Sequence, residues 1–167
     1  MMGERASFAS MVRSGSDWAC RITEMVLCVI GASMAILISV QVFSRYALNH
    51  SIFWSEEIGR ICLVWISFLG ASAVYKKHGH VGIDFFVVRL PLRWRRISQI
   101  LVVLVSFFFF VLLVYHGFAF ALFVSSQKTA ALGLPVFLPY LVIPVSGLLF
   151  LLHGSSHLLD LMTSRGE

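Results

Sequence analysis

The sequence predicts an all-α integral membrane protein that forms a single domain of four transmembrane helices over residues 1–167. Hydrophobic residues make up 59% of the chain and charged residues only 13%. The apolar residues form near-continuous runs, and a hydrocarbon layer of about 30 Å needs roughly 20 helical residues to cross it. The alternation of period two that marks a membrane barrel does not occur in these runs, so a helical bundle is the spanning structure that remains.

The four spans are predicted at about 22–44, 57–75, 98–124 and 132–153. The first has only Glu24 near its start and Gln41 near its end as strongly polar members. It is too long for the apolar core of a signal peptide and lacks an obvious cleavage site, so we expect a retained helix. Four spans in a chain of this length leave no room for a separate soluble domain.

Basic residues predict the orientation of the bundle. They are concentrated before the first span and between the second and third, at Arg5, Arg13, Arg21, Lys76, Lys77, Arg89, Arg93, Arg95 and Arg96. The other two connections hold Arg45, Arg60 and Lys128. By the positive-inside rule, both termini and the central connection are expected in the cytoplasm. The net charge of +5 then reflects topology and attraction to anionic lipid headgroups, and nucleic-acid binding is not predicted.

The central connection contains a largely apolar segment at about 81–90. A helix of this length covers about 15 Å, which is too short to cross the membrane. Because basic residues flank it on both sides, we expect a short helix that lies in the cytoplasmic interface. An irregular loop that buries Phe85 and Phe86 is the alternative.

Small residues mark places where helices can approach closely. They recur at every fourth position in the first and third spans, as Gly31, Ala35 and Ser39, and as Gly117, Ala121 and Ser125. The second span adds Gly70 and its small neighbours Ala71, Ser72 and Ala73. The opposing surface of each stripe can belong to this chain or to another subunit.

Charged residues crowd the start of the second span. Ser55 is predicted to cap this helix, and Glu56 and Glu57 follow in its first turn, where carboxylates are favoured by the helix dipole. Arg60 lies four residues after Glu56, a spacing that suits an ion pair, and Arg45 ends the first span. Two interpretations remain open: an ion network that is satisfied within the chain, or a cluster that partly faces a partner subunit. A substrate site built from these residues alone is less favoured, because no other span brings a charge to the same depth.

Four segments resemble a known family when they are taken together and in order. They are VFSRY at 42–46, FWSEEIGR at 53–60, LVWISFLGASAVYKKHGHVGID at 63–84 and GLPVFLPYLVIPVSG at 133–147. The resemblance is to the small membrane subunit, the DctQ-type permease, of tripartite ATP-independent periplasmic (TRAP) transporters. It extends from about residue 22 to residue 152, which is nearly the whole chain.

The resemblance implies a role shared among subunits in a bacterial inner membrane. In this family a soluble periplasmic receptor captures an organic anion, typically a carboxylate or a sugar acid, and a large membrane subunit moves it inward with sodium. The small subunit is similar to a scaffold that packs against the large one among the membrane lipids. No enzyme activity, cofactor, catalytic residue, substrate-binding residue or metal ligand is expected. Structural or partner-interface roles are implied for Arg45, Trp54, Glu56, Glu57, Arg60, Trp65, Gly70, His80, Pro139 and Pro144.

Two other functions are weighed against this one. A membrane redox subunit with haem needs paired histidines at one depth, but His116 lies in the outer half of the third span, whereas His153 and His157 lie at the inner end of the fourth. A small homo-oligomeric channel needs polar pore-lining stripes, and these helices offer small residues instead. Thiol redox chemistry is not predicted either, because Cys20, Cys28 and Cys62 form no Cys-x-x-Cys pair. Pro144 is expected to kink the last span rather than to form a binding site.

Overall fold

The structure is a computed structural model that describes residues 2–78 and 92–163, with side chains described for 10–77, 97–98 and 100–158. Its helices are α1 (Met2–Ala47), α2 (Phe53–His78), α3 (Leu92–Phe123), the single-turn α4 (Phe137–Tyr140) and α5 (Val142–Thr163). Within the described residues, four stretches are long and apolar enough to cross a membrane: Ser10–Ala47, Phe53–Lys77, Ile100–Phe123 and Phe137–Leu158. The predicted four-helix membrane fold is confirmed. The predicted interfacial helix at 81–90 and His80 lie outside the described residues, and the orientation with both termini inside stays a prediction.

Helix α5 is the central element of the bundle. It packs against α1, α2 and α3, while α1 packs mainly on α2 and α3 mainly on α5. Residues along one side of α5 are almost completely buried, among them Val142, Ser146, His153 and Ser156. Lipid cannot satisfy backbone groups, so each spanning segment is helical and the helices bury only narrow faces against one another.

The closest helix crossing joins α3 and α5. A Cβ atom added at Gly117 would come within 2.9 Å of Ile143 Cγ2, and one added at Gly147 within 2.7 Å of Val114 Cγ2. Ala121, one turn after Gly117, has no exposed surface. Gly117 of the stripe predicted in the third span therefore packs against another helix of the same chain and Ala121 is buried, whereas Ser125 lies exposed beyond the end of α3.

The small residues of α1 and α2 have different surroundings. A Cβ atom added at Gly31 or Gly70 would meet open space among the described residues. Ala35 and Ser39, which continue the predicted stripe after Gly31, are exposed. No described residue of this chain therefore packs closely against Gly31 or Gly70.

An aromatic cluster joins α2, α3 and α5 in the interior. Phe110 and Phe150 stack with ring centroids 4.6 Å apart. Tyr75 meets both of them edge to face, at 5.2 Å and 5.6 Å. Aromatic pairs in these geometries add to packing beyond the area they bury, so this cluster ties the three helices together.

Helix α1 is much longer than the span predicted within it. It has 46 residues, which correspond to about 69 Å of helix against a hydrocarbon layer of about 30 Å. The segment before residue 22 contains no proline, so nothing interrupts the backbone hydrogen bonds as the helix extends beyond the predicted span. Part of the predicted N-terminal tail is thus a continuous extension of the first spanning helix.

The fourth spanning segment lies further along the chain than its predicted bounds of 132–153. Residues 132–136 belong to the preceding connection, where Gly133 has a positive φ of 66°. The helix is divided at Leu141, between α4 and α5. Pro144 has no N–H to donate to the carbonyl of Tyr140, four residues earlier, which explains an interruption at this place.

The connection between α1 and α2 is a tight turn over residues 48–52. Asn49 adopts a left-handed conformation with φ of 52°, which asparagine tolerates better than most residues. The carbonyl of Ser44 accepts hydrogen bonds from the backbone of Leu48 (3.2 Å) and His50 (3.1 Å). The Ser44 hydroxyl donates to the His50 carbonyl at 2.8 Å. Buried Ser44 therefore organises the turn that leads into α2.

Replacing Ser44 by alanine is expected to loosen this turn. The substitution removes the donor to the His50 carbonyl, and a neutral hydrogen bond of this kind contributes about 0.5–1.5 kcal/mol. Ser39→Ala is the matched control, because the Ser39 hydroxyl donates only to the carbonyl of Ala35 one turn earlier in an exposed position. Thermal unfolding in detergent should give a lower midpoint for Ser44→Ala than for Ser39→Ala. Equal midpoints would contradict the role given to Ser44.

Candidate partner interface at the outer end

The candidate site lies where two connections meet the start of α2. Following the predicted orientation, we call this the outer end of the bundle: it comprises the turn 48–52, the first two turns of α2 and the connection 124–136 between α3 and α4. Trp54, Glu56, Glu57 and Arg60 lie here, and Arg45 and Pro139 lie next to it. The opposite end, where α1, α2 and α5 meet at Ser16, Lys76 and His153, is the inner end.

The expectation that Ser55 caps α2 is wrong. The helix begins two residues earlier, at Phe53. Ser55 is 1% exposed, and its hydroxyl donates to the carbonyl of Ile52 at 2.6 Å, whereas a cap would accept a hydrogen bond from the backbone. The hydroxyl instead secures the first turn to the residue that precedes the helix.

Glu56 faces the end of α1. Its carboxylate lies 3.9 Å from the Arg45 guanidinium and accepts a hydrogen bond from the Gln41 side chain at 3.3 Å. The side chains of Arg45 and Glu56 are 58% and 59% exposed. A pair this open to its surroundings contributes at most about 1 kcal/mol in water. Among the described residues, Glu56 therefore forms its ion pair with Arg45. The ion pair predicted with Arg60, a described residue one turn along α2, is not present.

Glu57 faces the connection 124–136 instead. One carboxylate oxygen accepts a hydrogen bond from the backbone N–H of Ala131 at 2.8 Å. The connection has its own internal bonds, with Thr129 N–H donating to the Leu134 carbonyl at 2.8 Å and Gly133 N–H to the Thr129 carbonyl at 3.0 Å. Glu57 therefore attaches a folded connection to the first turn of α2. The two adjacent carboxylates serve different neighbours, because successive positions on a helix point about 100° apart.

Arg60 and Pro139 share a cavity of about 270 Å³ at the outer end. Its lining comprises Glu57, Arg60, Ile61, Val64, Thr129, Ala130, Val136, Pro139 and Tyr140. The Tyr140 ring also meets Phe120 of α3 edge to face at 5.0 Å. The cavity thus lies where α2, α4 and the connection 124–136 meet.

The remaining residues singled out from the sequence do not form one group. Trp54 is 44% exposed beside the charged turn, and Trp65 is half-buried further along α2. Gly70 adjoins open space, and Pro144 is fully buried in the first turn of α5. Their roles at a partner interface stay predictions.

Sequence reasoning missed the residues that complete the outer end. Gln41 was noted only as a polar member of its span, yet its place one turn before Arg45 puts it on the same helix face. Ala131 could not be found, because it contributes a backbone N–H from 74 residues away. Thr129 binds the Leu134 N–H through its side chain at 3.1 Å, a local turn contact that its sequence neighbours do not predict.

The structure defines an all-helical, multi-pass membrane protein whose third and fourth spanning segments, 100–123 and 137–158, contain no Asp, Glu, Lys or Arg. The profile of the family "Tripartite ATP-independent periplasmic transporters, DctQ component" matches residues 34–164. The chain therefore belongs to this family, as the resemblance predicted. The family is one of transporter subunits and is not enzymatic.

Individual relatives agree with the family assignment. The chain is 32% identical over 95 residues to the isethionate TRAP transporter permease protein DctMQ of Oleidesulfovibrio alaskensis, covering 56% of this chain and 15% of that protein. It is 28% identical over 119 residues to the ectoine TRAP transporter small permease protein TeaB of Halomonas elongata, covering 70% and 60%. It is 27% identical over 119 residues to the C4-dicarboxylate TRAP transporter small permease protein DctQ of Vibrio cholerae, covering 67% and 51%. The chain spans less than two thirds of the length of each of these relatives.

Proposed function

We propose that this chain is the small scaffold subunit of a TRAP transporter and packs against a large membrane subunit. The complex would support sodium-coupled, receptor-dependent uptake of an organic anion, a carboxylate or a sugar acid, across a bacterial inner membrane. The observation that carries the proposal is the match to the DctQ component family over residues 34–164. The named substrates of its relatives, among them isethionate and C4-dicarboxylates, are the basis for the substrate class.

One relative supports the large membrane subunit as a partner. The match to the protein DctMQ covers 15% of that protein, so most of that polypeptide is a further component of the same permease. A small subunit that can be fused to the rest of a permease must lie beside it. A soluble periplasmic receptor and the surrounding lipids are the other proposed partners.

The distribution of charge supports a scaffold rather than a carrier. Transporters usually place substrate and coupling ions near the bilayer midplane, between polar groups of broken helices. In this chain the segments 100–123 and 137–158 have no charged residue, and the division at Leu141 lies near the outer end of its segment. In α2 the charges lie in the first two turns and the last. Binding and movement of the substrate are therefore assigned to other subunits.

The outer end is the proposed contact with the large subunit. Both carboxylates have partners within the chain, but Glu56, Arg45 and the neighbouring Trp54 remain largely exposed. Charged groups at membrane depth are expensive when they face lipid, so an exposed set at the end of a spanning helix favours a polar neighbour. A partner subunit supplies such a neighbour.

Replacement of Glu56 and Glu57 together tests this interface. The double variant E56Q/E57Q is expected to reduce recovery of the tagged chain with its large partner, isolated in mild detergent and identified by mass spectrometry. Arg21→Gln is the matched control, because Arg21 is an exposed charge at the inner end, away from the proposed contact. The single variant E56Q distinguishes a loss of assembly from a loss of folding. The contacts of Glu56 within the chain are weak, so their removal should leave the fold intact. If copurification and uptake both stay at the parental level in the double variant, the proposed interface is wrong.

A further inference from the structure

A polar cluster joins α1, α2 and α5 at the inner end. The Ser16 hydroxyl lies 2.8 Å from Nδ1 of His153, and both residues are at most 1% exposed. Lys76 lies 3.0 Å from the Asp17 carboxylate and donates to the Ser156 hydroxyl at 3.4 Å. Ser16 and Asp17 precede the span predicted from residue 22, so part of the predicted N-terminal tail is attached to the bundle.

The segment 10–22 of α1 buries small and polar residues against the bundle. The buried positions on this part of α1 and its continuation are Ser16, Cys20 and Thr23, which are small or polar. The exposed positions include Met11 and Trp18, which are 66% and 68% exposed. Helices that meet inside a membrane use small and polar residues at their contacts. The segment therefore rests on α2 and α5 through hydrogen bonds and an ion pair, with little apolar packing.

The docked arrangement leaves a ring nitrogen of His153 without a hydrogen bond to any described residue. Nε2 of His153 is buried and has no hydrogen-bond partner among the described residues. A buried polar atom without a partner destabilises the state that contains it. The Asp17 side chain is 61% exposed, so its ion pair with Lys76 is also open to competition. The Ser16–His153 and Asp17–Lys76 contacts are therefore not fully satisfied in the docked arrangement.

Thr23 marks a place where α1 can bend. Its hydroxyl donates to the carbonyl of Ala19 at 2.9 Å, and hydrogen bonds of this kind weaken and bend helices. Just beyond it, Glu24 forms an ion pair with Lys77 of α2. The helix is therefore attached on the far side of Thr23 by a separate contact.

We propose that residues 10–22 form a strap that docks on the inner ends of α2 and α5 through Ser16–His153 and Asp17–Lys76, and releases as a unit by bending at Thr23. The docked strap covers Cys20, which is 6% exposed. Release exposes this thiol together with His153 and Ser156, while α1 beyond Thr23 stays on α2. The inner end then has two arrangements, and residues 10–22 can change their angle to α5 without unfolding the bundle.

Labelling of Cys20 measures this release directly. The parent is the full chain with C28S and C62S, co-expressed with its transporter partners and treated in native membranes with N-ethylmaleimide. Mass spectrometry of the intact chain gives the labelling rate. The variant S16A/K76Q, which removes the Ser16 hydroxyl from His153 and the Lys76 charge from Asp17, is expected to label at least tenfold faster than the parent. Ser67→Ala, which removes a hydrogen bond to the Leu63 carbonyl within one turn of α2, should label at the parental rate.

A sibling chain distinguishes local release from general unfolding. It carries C20S and C28S and reports on half-buried Cys62 in α2. Its labelling rate is expected to be the same with and without S16A/K76Q. A parallel rise at Cys62, an unchanged rate at Cys20, or a parental Cys20 rate equal to that of the chain in sodium dodecyl sulfate would each overturn the strap.

Discussion

Replacing Gly147 by leucine is expected to disrupt the packing of α3 on α5 and to remove most of the folded protein. A Cβ atom at this position would lie 2.7 Å from Val114 Cγ2 and 3.3 Å from the backbone nitrogen of Val114. The side chain of Val114 can rotate, but its backbone can move only if the two helices separate. Overpacking of a close contact costs about 1–3 kcal/mol, and a larger side chain against backbone lies at or beyond the upper end of that range.

Gly31→Leu is the matched control for this prediction. Gly31 also lies within a spanning helix, but a side chain there would meet open space among the described residues. Leucine favours helix more than glycine, so the control is expected to fold at least as well as the parent. Size-exclusion chromatography of a fluorescent fusion in detergent gives the monodisperse fraction of each variant. A Gly147→Leu profile that matches Gly31→Leu would show that the α3–α5 crossing is not the tight contact described here.

The helical bundle could be predicted from the sequence because few backbone structures satisfy their own hydrogen bonds in lipid. Long apolar runs must be helical to satisfy their backbone groups, so the number of spans follows from hydropathy. The stripe at Gly117 and Ala121 indicated a close helix contact, and the structure supplies α5 as its partner. The family followed from four short segments whose order, rather than any single motif, was informative.

Predictions failed where the deciding contact is remote in sequence. Hydropathy placed residues 132–136 in the last span because they are apolar, but Gly133 and the Glu57–Ala131 hydrogen bond keep this stretch in a connection. Ser55 was assigned a capping role by its type, and its burial was not visible from the sequence. His153 was weighed only as a haem ligand. Its contact with Ser16 joins residues 137 positions apart, which no local pattern indicates.

Replacing Glu57 by alanine is expected to release the connection 124–136 from α2, whereas Glu56→Ala leaves it attached. The two carboxylates make a sharp comparison, because both lie in the first turns of α2 and interact similarly with the helix dipole. Glu57 accepts a hydrogen bond from the Ala131 backbone at 2.8 Å, and hydrogen bonds to charged groups are stronger than those between neutral groups. Glu56 has only its exposed contacts with Arg45 and Gln41, at 3.9 Å and 3.3 Å.

Trypsin provides a local readout of this difference. Lys128 lies exposed within the connection, so cleavage after it should accelerate when the connection is released. Glu57→Ala is expected to raise the cleavage rate at Lys128 and to lower the thermal midpoint by about 2–4 °C for each kcal/mol lost. Glu56→Ala should leave both close to the parent, since exposed ion pairs contribute little. Equal cleavage rates in the two variants would mean that the hydrogen bond to Ala131 does not hold the connection in place, and the division of the outer cluster into two separate contacts would then be wrong.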